Sequence, residues 1–154
     1  MKKTAIEPHK SSLGMEANIA VMVMYVAMVV LSWIPGIRYA AWAVPIVFFV
    51  MEKSSKFVKF QAVQALGVGI VQVVFSIIIQ IIIWLLTPRD WLGILYAYRG
   101  YGLISFIGTL ISLVISVLVL YVVYMAYRYQ QVELPFVGPI ALNISEKMDG
   151  GGTL

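Results

Sequence analysis

Residues able to carry out acid–base or nucleophilic chemistry are few and far apart in this sequence. Its carboxylates are dispersed along the chain, at positions such as Glu16, Glu52, Asp90, Glu133 and Glu146. His9 is the single histidine, and there is no cysteine. General acid–base catalysis needs groups gathered at one site, and a thiolate metal site needs cysteine. We therefore predict no catalytic residue, no metal site, no cofactor and no enzyme activity. His9 lies in a polar segment, where we expect it to be solvated.

The polar residues with the most regular spacing are amides and hydroxyls within apolar segments. Gln72, Ser76 and Gln80 are four residues apart, so they share one face of a helix. A second, weakly polar face comprises Ser105, Thr109, Ser112 and Ser116, together with Gly108. Amides that face lipid would lack hydrogen-bond partners, so we predict that the two faces pack together. An alternative is that they line a hydrated path, although such paths commonly include an ionised residue.

Composition indicates that the solvent for most of this chain is lipid. Hydrophobic residues make up 62% of the 154 residues, and charged residues only 12%. A chain of this composition cannot cover its apolar surface with a water-facing shell of its own. The net charge of +4 comes from basic residues scattered between apolar segments, which does not indicate nucleic-acid binding. We predict the lipid bilayer as the main partner and identify no small-molecule substrate.

Four apolar segments predict an all-α membrane protein with four transmembrane helices. The predicted membrane domain, 17–142, contains spans at about 17–34, 39–51, 65–86 and 103–127. A polar, mobile cytoplasmic tail is expected at 1–16 and a flexible tail at 143–154. Trp33 would lie near the membrane interface, and Pro35-Gly36 would end the first span. Aromatic residues and arginines at about 88–99 suit a short surface helix.

The second span is short and contains Pro45, so a hairpin that re-enters the same side is an alternative. The distribution of basic residues favours a full crossing. With four spans, eight basic residues lie on one side (Lys2, Lys3, Lys10, Lys53, Lys56, Lys59, Arg128 and Lys147) and three on the other (Arg38, Arg89 and Arg99). Basic residues concentrate on the cytoplasmic side of membrane proteins. We therefore predict a multi-pass protein of a bacterial-type plasma membrane, with both termini cytoplasmic.

A basic, amphipathic segment precedes the third span. Residues 54–64 are predicted to form an interfacial helix that begins the long third helix. The candidate lipid- or partner-docking residues here are Lys53, Lys56, Phe57, Lys59, Phe60, Gln61 and Gln64. The simpler interpretation of the lysines is that they set membrane orientation and bind anionic headgroups. Specific docking of a partner is the alternative.

The segment EKSSKFVKFQAVQAL resembles a widespread membrane family that includes bacterial proteins and is related to the twenty-kilodalton component of the chloroplast inner-envelope protein translocon. The resemblance rests on Phe57, Val58, Lys59, Phe60 and Gln64, and on the later sequence ELPFVGPIA. It implies a four-helix fold with a short second span. Many relatives carry His or Asn at the position of Gln61. An amide can still hydrogen-bond there, so we expect Gln61 to serve an architectural role rather than one that needs an imidazole.

These features predict a non-enzymatic integral membrane protein that acts as a scaffold or accessory subunit of a larger membrane complex. The resemblance implies that protein translocation or membrane assembly is the setting. Its partners would be other membrane proteins or further copies of this chain. The alternative is a small oligomeric channel or transporter subunit that uses the Gln72/Ser76/Gln80 face. A further alternative is a lipid-interacting protein whose basic helix senses anionic lipid.

Overall fold

A computed structural model describes residues 2–34, 41–86 and 91–150, without the side chains of residues 32, 33, 86, 91–101, 103, 105, 146 and 148–150. These residues are mostly helical, as predicted. The helices are α1 (Ala17–Trp33), α2 (Ala43–Met51), α3 (Lys56–Leu86), α4 (Trp91–Tyr127) and α5 (Val137–Gly150). Two short strands accompany them, β1 (Lys3–Ala5) and β2 (Gln130–Val132). α5 continues through Gly150, whereas a flexible tail was predicted from residue 143.

The N-terminal segment is held by a two-stranded sheet, in contrast to the mobile tail predicted for 1–16. β1 pairs antiparallel with β2, with Lys3 opposite Val132 and Ala5 opposite Gln130. Backbone bonds at both ends extend the pairing, from Glu133 N to Lys2 O at 3.0 Å and from Ile6 N to Tyr129 O at 2.8 Å. Strands of three residues are too short to show an alternating pattern, and the partner comes from the other end of the chain.

Within the described residues, two helices are long and apolar enough to cross a membrane by length and composition: α3 over Lys56–Leu85 and α4 over Phe106–Tyr127. Of their most apolar 18-residue stretches, 0% and 6% of the residues are buried. The core helix of a soluble protein would be mostly buried, so these exposed apolar surfaces suit lipid. α1 is a shorter apolar helix, and the nine residues of α2 rise only about 13 Å. Four spans are therefore not established by helix length alone.

Two long helices each combine a predicted interfacial or surface helix with a predicted span, and this continuity was predicted for the third span but not for the fourth. The interfacial helix 54–64 and the span 65–86 form α3, which contains 31 residues. The described part of the predicted surface helix, from Trp91 onward, and the span 103–127 are joined in α4, which contains 37 residues. Two glycines in α3 allow close packing against neighbouring side chains. A Cβ at Gly67 would overlap Val137, and one at Gly69 would come within 3.1 Å of the Trp42 ring.

The chain divides into two compact units. The first unit comprises residues 1–69 and 120–154, and the second comprises residues 70–119. The buried side chains belong to the first unit, where the largest apolar ones include Met24, Phe57, Phe60, Val122 and Val132. None of the second unit's described residues is buried. Among the described residues, a hydrophobic core in the usual sense is therefore found only in the first unit.

Some predictions fall on parts of the chain outside the described residues. They are the interfacial position of the Trp33 side chain, the helix end at Pro35-Gly36, and the roles of Arg38, Arg89 and Ser105.

Two helical glycines provide a test of the packing around α5. A Cβ at Gly138 would lie 2.8 Å from the Glu133 Cα, whereas a Cβ at Gly102 in α4 would have no atom of another described segment within 4 Å. We expect Gly138→Ala to lower the free energy of unfolding by about 1–3 kcal/mol, because backbone must move to admit the methyl group. Gly102→Ala should instead raise it slightly, through helix propensity. Thermal unfolding of both variants in detergent measures the difference, and equal effects would contradict the packing described.

Candidate functional site

The carboxylate of Glu52 is the centre of a buried cluster that joins the N-terminal segment to the loop between α2 and α3. Its Oε1 accepts bonds from the backbone N–H groups of Ser12, Ser54 and Ser55, at 3.0, 3.0 and 2.9 Å. The same oxygen accepts from the hydroxyls of Ser12 and Ser54, and Oε2 accepts from the hydroxyl of Ser11. We call these five residues the Glu52 clasp. Glu52 is 1% exposed, so these donors replace its water.

The clasp keeps Glu52 ionised. Burial by itself raises the pKa of the carboxyl, but the hydrogen bonds from Ser11, Ser55 and Ser12 stabilise the ionised form more strongly. The net result is a pKa lowered from 4.5 to about 2. A general acid or base needs a pKa near the working pH. Glu52 is therefore suited to a structural role, as the acceptor that ties two segments together.

His9 extends the clasp, although it was predicted to be solvated. Its Nδ1 lies 2.8 Å from the backbone oxygen of Glu7, and its Nε2 lies 2.7 Å from the Ser55 Oγ. A carbonyl can only accept, so in the neutral imidazole Nδ1 carries the hydrogen and Nε2 accepts from the Ser55 hydroxyl. The Ser55 Oγ in turn accepts from the N–H of Val58 at 3.2 Å, which caps the start of α3. These bonds occupy the serine and the histidine in structural contacts.

Tyr129 connects the ends of three helices around the clasp. Its hydroxyl donates to the Glu16 carboxylate at 2.9 Å, beside the start of α1. Its ring is stacked against Phe57 and tilted against His9, in each case with 6.3 Å between ring centroids. Its φ of 55° lies in the left-handed region, which costs free energy for a residue with a Cβ. The contacts at Tyr129 therefore fix how the chain leaves α4.

The structure separates the predicted docking cluster into two groups with different environments. Lys53 and Lys56 are exposed and Lys59 is partly exposed. The other members, Phe57, Phe60, Gln61 and Gln64, are buried in the first unit. The helix segment is amphipathic, but its apolar face packs on protein rather than on lipid headgroups. The lysines alone remain accessible to a headgroup or a partner.

Two buried glutamines are incompletely bonded. The Oε1 of Gln64 accepts from the N–H of Leu134 at 3.2 Å, and its Nε2 has no partner among the described residues. Neither amide atom of Gln61 has one, although the residue is fully buried. Each unpaired buried group costs about 1–3 kcal/mol. The hydrogen-bonding role implied for Gln61 by resemblance is therefore not seen among the protein atoms of the first unit.

The predicted amide face of α3 is exposed in the second unit. Gln72, Ser76 and Gln80 are all exposed, and none of their side chains has a hydrogen-bond partner within the described part of the chain. Ser76 and Gln80 lie in a shallow groove that is otherwise lined by Val73, Ile77, Ile81 and Trp84. We call Gln72, Ser76 and Gln80 the amide face. It is a row of neutral donors and acceptors on a helix that is otherwise apolar.

The weakly polar face of α4 does not cover the amide face. α4 approaches α3 at Gly108, where a Cβ would lie 3.2 Å from the Ile79 Cδ1. Thr109, Ser112 and Ser116 are exposed. The Ser116 hydroxyl donates to the Ser112 backbone oxygen at 2.8 Å, so it is satisfied within its own helix. The prediction that the two faces pack together is therefore wrong for these described residues.

Sequence reasoning located the amide face but missed the clasp. A serine just before an apolar helical pattern is a recognisable capping signal, so Ser55 was detectable. No local signal connects Ser11, Ser12 or His9 to Glu52, because the contacts join residues about 40 positions apart. Among the described residues, no group of three or more His, Asp or Glu side chains could hold a metal ion.

Two long apolar helices with exposed surfaces in the described part of the chain suit a helical membrane protein. The chain belongs to the UPF0132 family of membrane proteins. It is 31% identical over 137 residues to the UPF0132 membrane protein of Methanocaldococcus jannaschii, across 89% of this chain and 96% of the relative. No family profile and no solved structure matches the chain. The relative's name states a membrane protein and no activity, so the relation to the translocon component stays a prediction.

The depressed pKa of Glu52 predicts that stability depends on pH. The ionised Glu52 carboxylate contributes fully to the free energy of unfolding above pH 4.5, the pKa of the carboxyl in the unfolded chain. This contribution is lost as the pH falls toward about 2, the pKa of the carboxyl in the folded protein. The full loss is about 3 kcal/mol of unfolding free energy, because one pKa unit corresponds to about 1.4 kcal/mol. Unfolding in a maltoside detergent between pH 7 and pH 3 would measure the decline.

Two variants control this prediction. Glu52→Gln should be less stable at pH 7, because an amide NH₂ would face donors, and it should lose the acid-dependent decline. Glu7→Gln makes the same chemical change at an exposed side chain, so it should behave like the natural protein. An acid-dependent decline that persists in Glu52→Gln would show that another group is responsible.

Proposed function

We propose that this protein is a non-enzymatic integral membrane subunit with four crossings, whose amide face binds another membrane protein in a larger complex. The observation that carries the proposal is the position of Gln72, Ser76 and Gln80 on an exposed, apolar helix, without hydrogen-bond partners among the described residues. The proposal assigns no catalytic residue and no cofactor. Glu52 and His9, which have the chemistry for catalysis, are engaged in structural hydrogen bonds.

The cost of exposed amides in lipid supports a protein partner. The hydrocarbon core offers no hydrogen bonds, so each unpaired amide on a spanning helix costs several kcal/mol. A neighbouring transmembrane helix with its own polar groups can pair with these amides, at roughly 0.5–2 kcal/mol for each bond. The amide face lies within the Lys56–Leu85 candidate span. A partner helix at the same depth would therefore satisfy groups that this chain leaves unpaired.

Hydrogen bonds within the first unit support four crossings. The clasp joins residues before α1 to residues after α2, and the β1–β2 pairing joins the N-terminal segment to residues after α4. Segments this close must lie on the same side of a membrane, so the chain crosses an even number of times between them. If α1 crosses, the chain must return before Glu52. This supports a crossing second span and argues against a hairpin in the 39–51 segment.

The distribution of charge supports a cytoplasmic location for both termini. The joined side carries Lys53, Lys56, Lys59 and Arg128, and positive residues favour the cytoplasmic side. We place the protein in a bacterial-type plasma membrane on this basis. A role in protein translocation or membrane assembly is supported only by the sequence resemblance to the translocon-related family.

The channel alternative has less support. A conducting path needs several copies around a hydrated pore, with polar groups along its length. The groove at the amide face has two polar residues, Ser76 and Gln80, and four large apolar ones. An apolar groove with a few polar groups suits packing of a helix better than passage of a hydrated solute.

Single cysteines provide a test of the four-crossing topology, because the natural chain has none. We expect a membrane-impermeant maleimide to label Gly102→Cys in intact cells. Lys53→Cys and Lys147→Cys should be labelled only after the membrane is opened. Labelling of Lys53→Cys from outside would contradict a crossing second span with a cytoplasmic N-terminus, since that position would then lie on the opposite side of the membrane from the N-terminal segment.

Photo-crosslinking provides a test of the amide face. We expect a photoreactive residue at Ser76 to give a discrete protein adduct in the native membrane. The same residue at Ile78, which is exposed on another side of α3, should give mainly lipid adducts. Replacing Gln72 and Gln80 by Leu should reduce the Ser76 adduct roughly tenfold, as expected for loss of two interhelical amide bonds. Lipid adducts alone at Ser76 would overturn the proposal, provided the protein is folded.

A further inference from the structure

The C-terminal helix α5 has a surface that neither the clasp nor the amide face uses. Gly138, Ala141 and Ser145 are buried on its inner side. The opposite side begins with Phe136, just before the helix. Phe136 is 87% exposed and has a φ of 68°. Ile140 follows at 59% exposure. A left-handed conformation at a bulky residue is costly, and here it keeps a phenyl ring outside the protein.

The exposed side of α5 changes from apolar to polar along its length. Residues three and four apart share one side of a helix, so the exposed positions form a single stripe. In chain order this stripe comprises Phe136, Pro139, Ile140, Asn143, Ile144 and Lys147. Its first part is entirely apolar, its middle is mixed, and its last member is a cation. We call it the α5 stripe.

The start of α5 lies against the membrane-spanning part of α3. A Cβ at Gly67 would overlap Val137, so the backbone of α3 and the first residue of α5 are in direct contact. Gly67 follows Lys59, the last ionised residue before the span, by eight residues, or about 12 Å of helix. Half of the hydrocarbon core is about 15 Å thick. With Lys59 at the headgroups, Val137 therefore lies at the depth of the acyl chains.

We propose that α5 inserts obliquely into the leaflet beside Lys56 and Lys59, with Phe136 and Ile140 among the acyl chains and Lys147 at the headgroups. The residues from Val137 to Lys147 rise about 15 Å, which is enough to reach the headgroups from that depth. The polarity of a leaflet changes over the same distance and in the same direction as the α5 stripe. Anionic headgroups would attract Lys147. The proposal does not depend on the partner of the amide face.

Nitroxide labels at single cysteines can measure this insertion in the full-length protein. Labels would be placed by Phe136→Cys, Ile140→Cys and Lys147→Cys in protein reconstituted into phosphatidylcholine and phosphatidylglycerol vesicles. Oxygen concentrates in acyl chains, whereas a nickel chelate stays in water. We expect oxygen to dominate relaxation at positions 136 and 140, and nickel accessibility to be several-fold higher at 147.

Two further positions calibrate the measurement. Leu113→Cys reports a lipid-exposed position on the candidate span of α4, and Lys53→Cys reports an exposed loop. Nickel accessibility at position 136 equal to that at position 53 would place the α5 stripe in water and overturn the proposal. Low accessibility of 136 to both reagents would mean that protein covers the stripe, which also overturns it. If Phe136→Cys does not fold, Ile140→Cys carries the same test.

Discussion

The arrangement of the first unit depends on one buried carboxylate. Glu52 leaves water, and its ionised form is tolerable only because backbone and hydroxyl donors surround it. Those donors come both from its own loop and from the N-terminal segment. Loss of the N-terminal donors would leave a buried charge under-satisfied, so the segment is held in place although it is short and polar.

The hydrogen-bond network around Glu52 also connects the clasp to the ends of neighbouring helices. Ser55 is both a donor in the clasp and the cap of α3, so the start of the long helix is set by the clasp. His9 bonds to Ser55 and packs against Tyr129, which in turn bonds to Glu16 at the start of α1. The ends of α1, α3 and α4 are therefore connected by polar contacts beside an apolar core.

In the second unit, by contrast, the described side chains are not buried by protein. Exposure costs the apolar residues of this unit no free energy if their solvent is lipid. For Gln72 and Gln80 it is a cost, since an amide is poorly accommodated by acyl chains. Membership in the UPF0132 membrane family agrees with lipid as the solvent for the apolar residues. It gives no information on what pairs with the two amides. Among the described residues of the second unit, the amide face therefore carries polar groups that are not satisfied within a single chain.

Sequence alone determined the features that depend on composition and local periodicity. The helical class, the long apolar segments of α3 and α4, and the shared face of Gln72, Ser76 and Gln80 follow from hydropathy and the 3.6-residue repeat. Tertiary structure decided the rest: the β1–β2 pairing, the Glu52 clasp, the burial of Phe57 and Gln61, and the exposure of the α5 stripe. These features depend on contacts between distant residues, each made by short polar groups that carry no periodic signal. A one-dimensional pattern shows which side of a helix is apolar, but only the fold decides whether protein or lipid covers it.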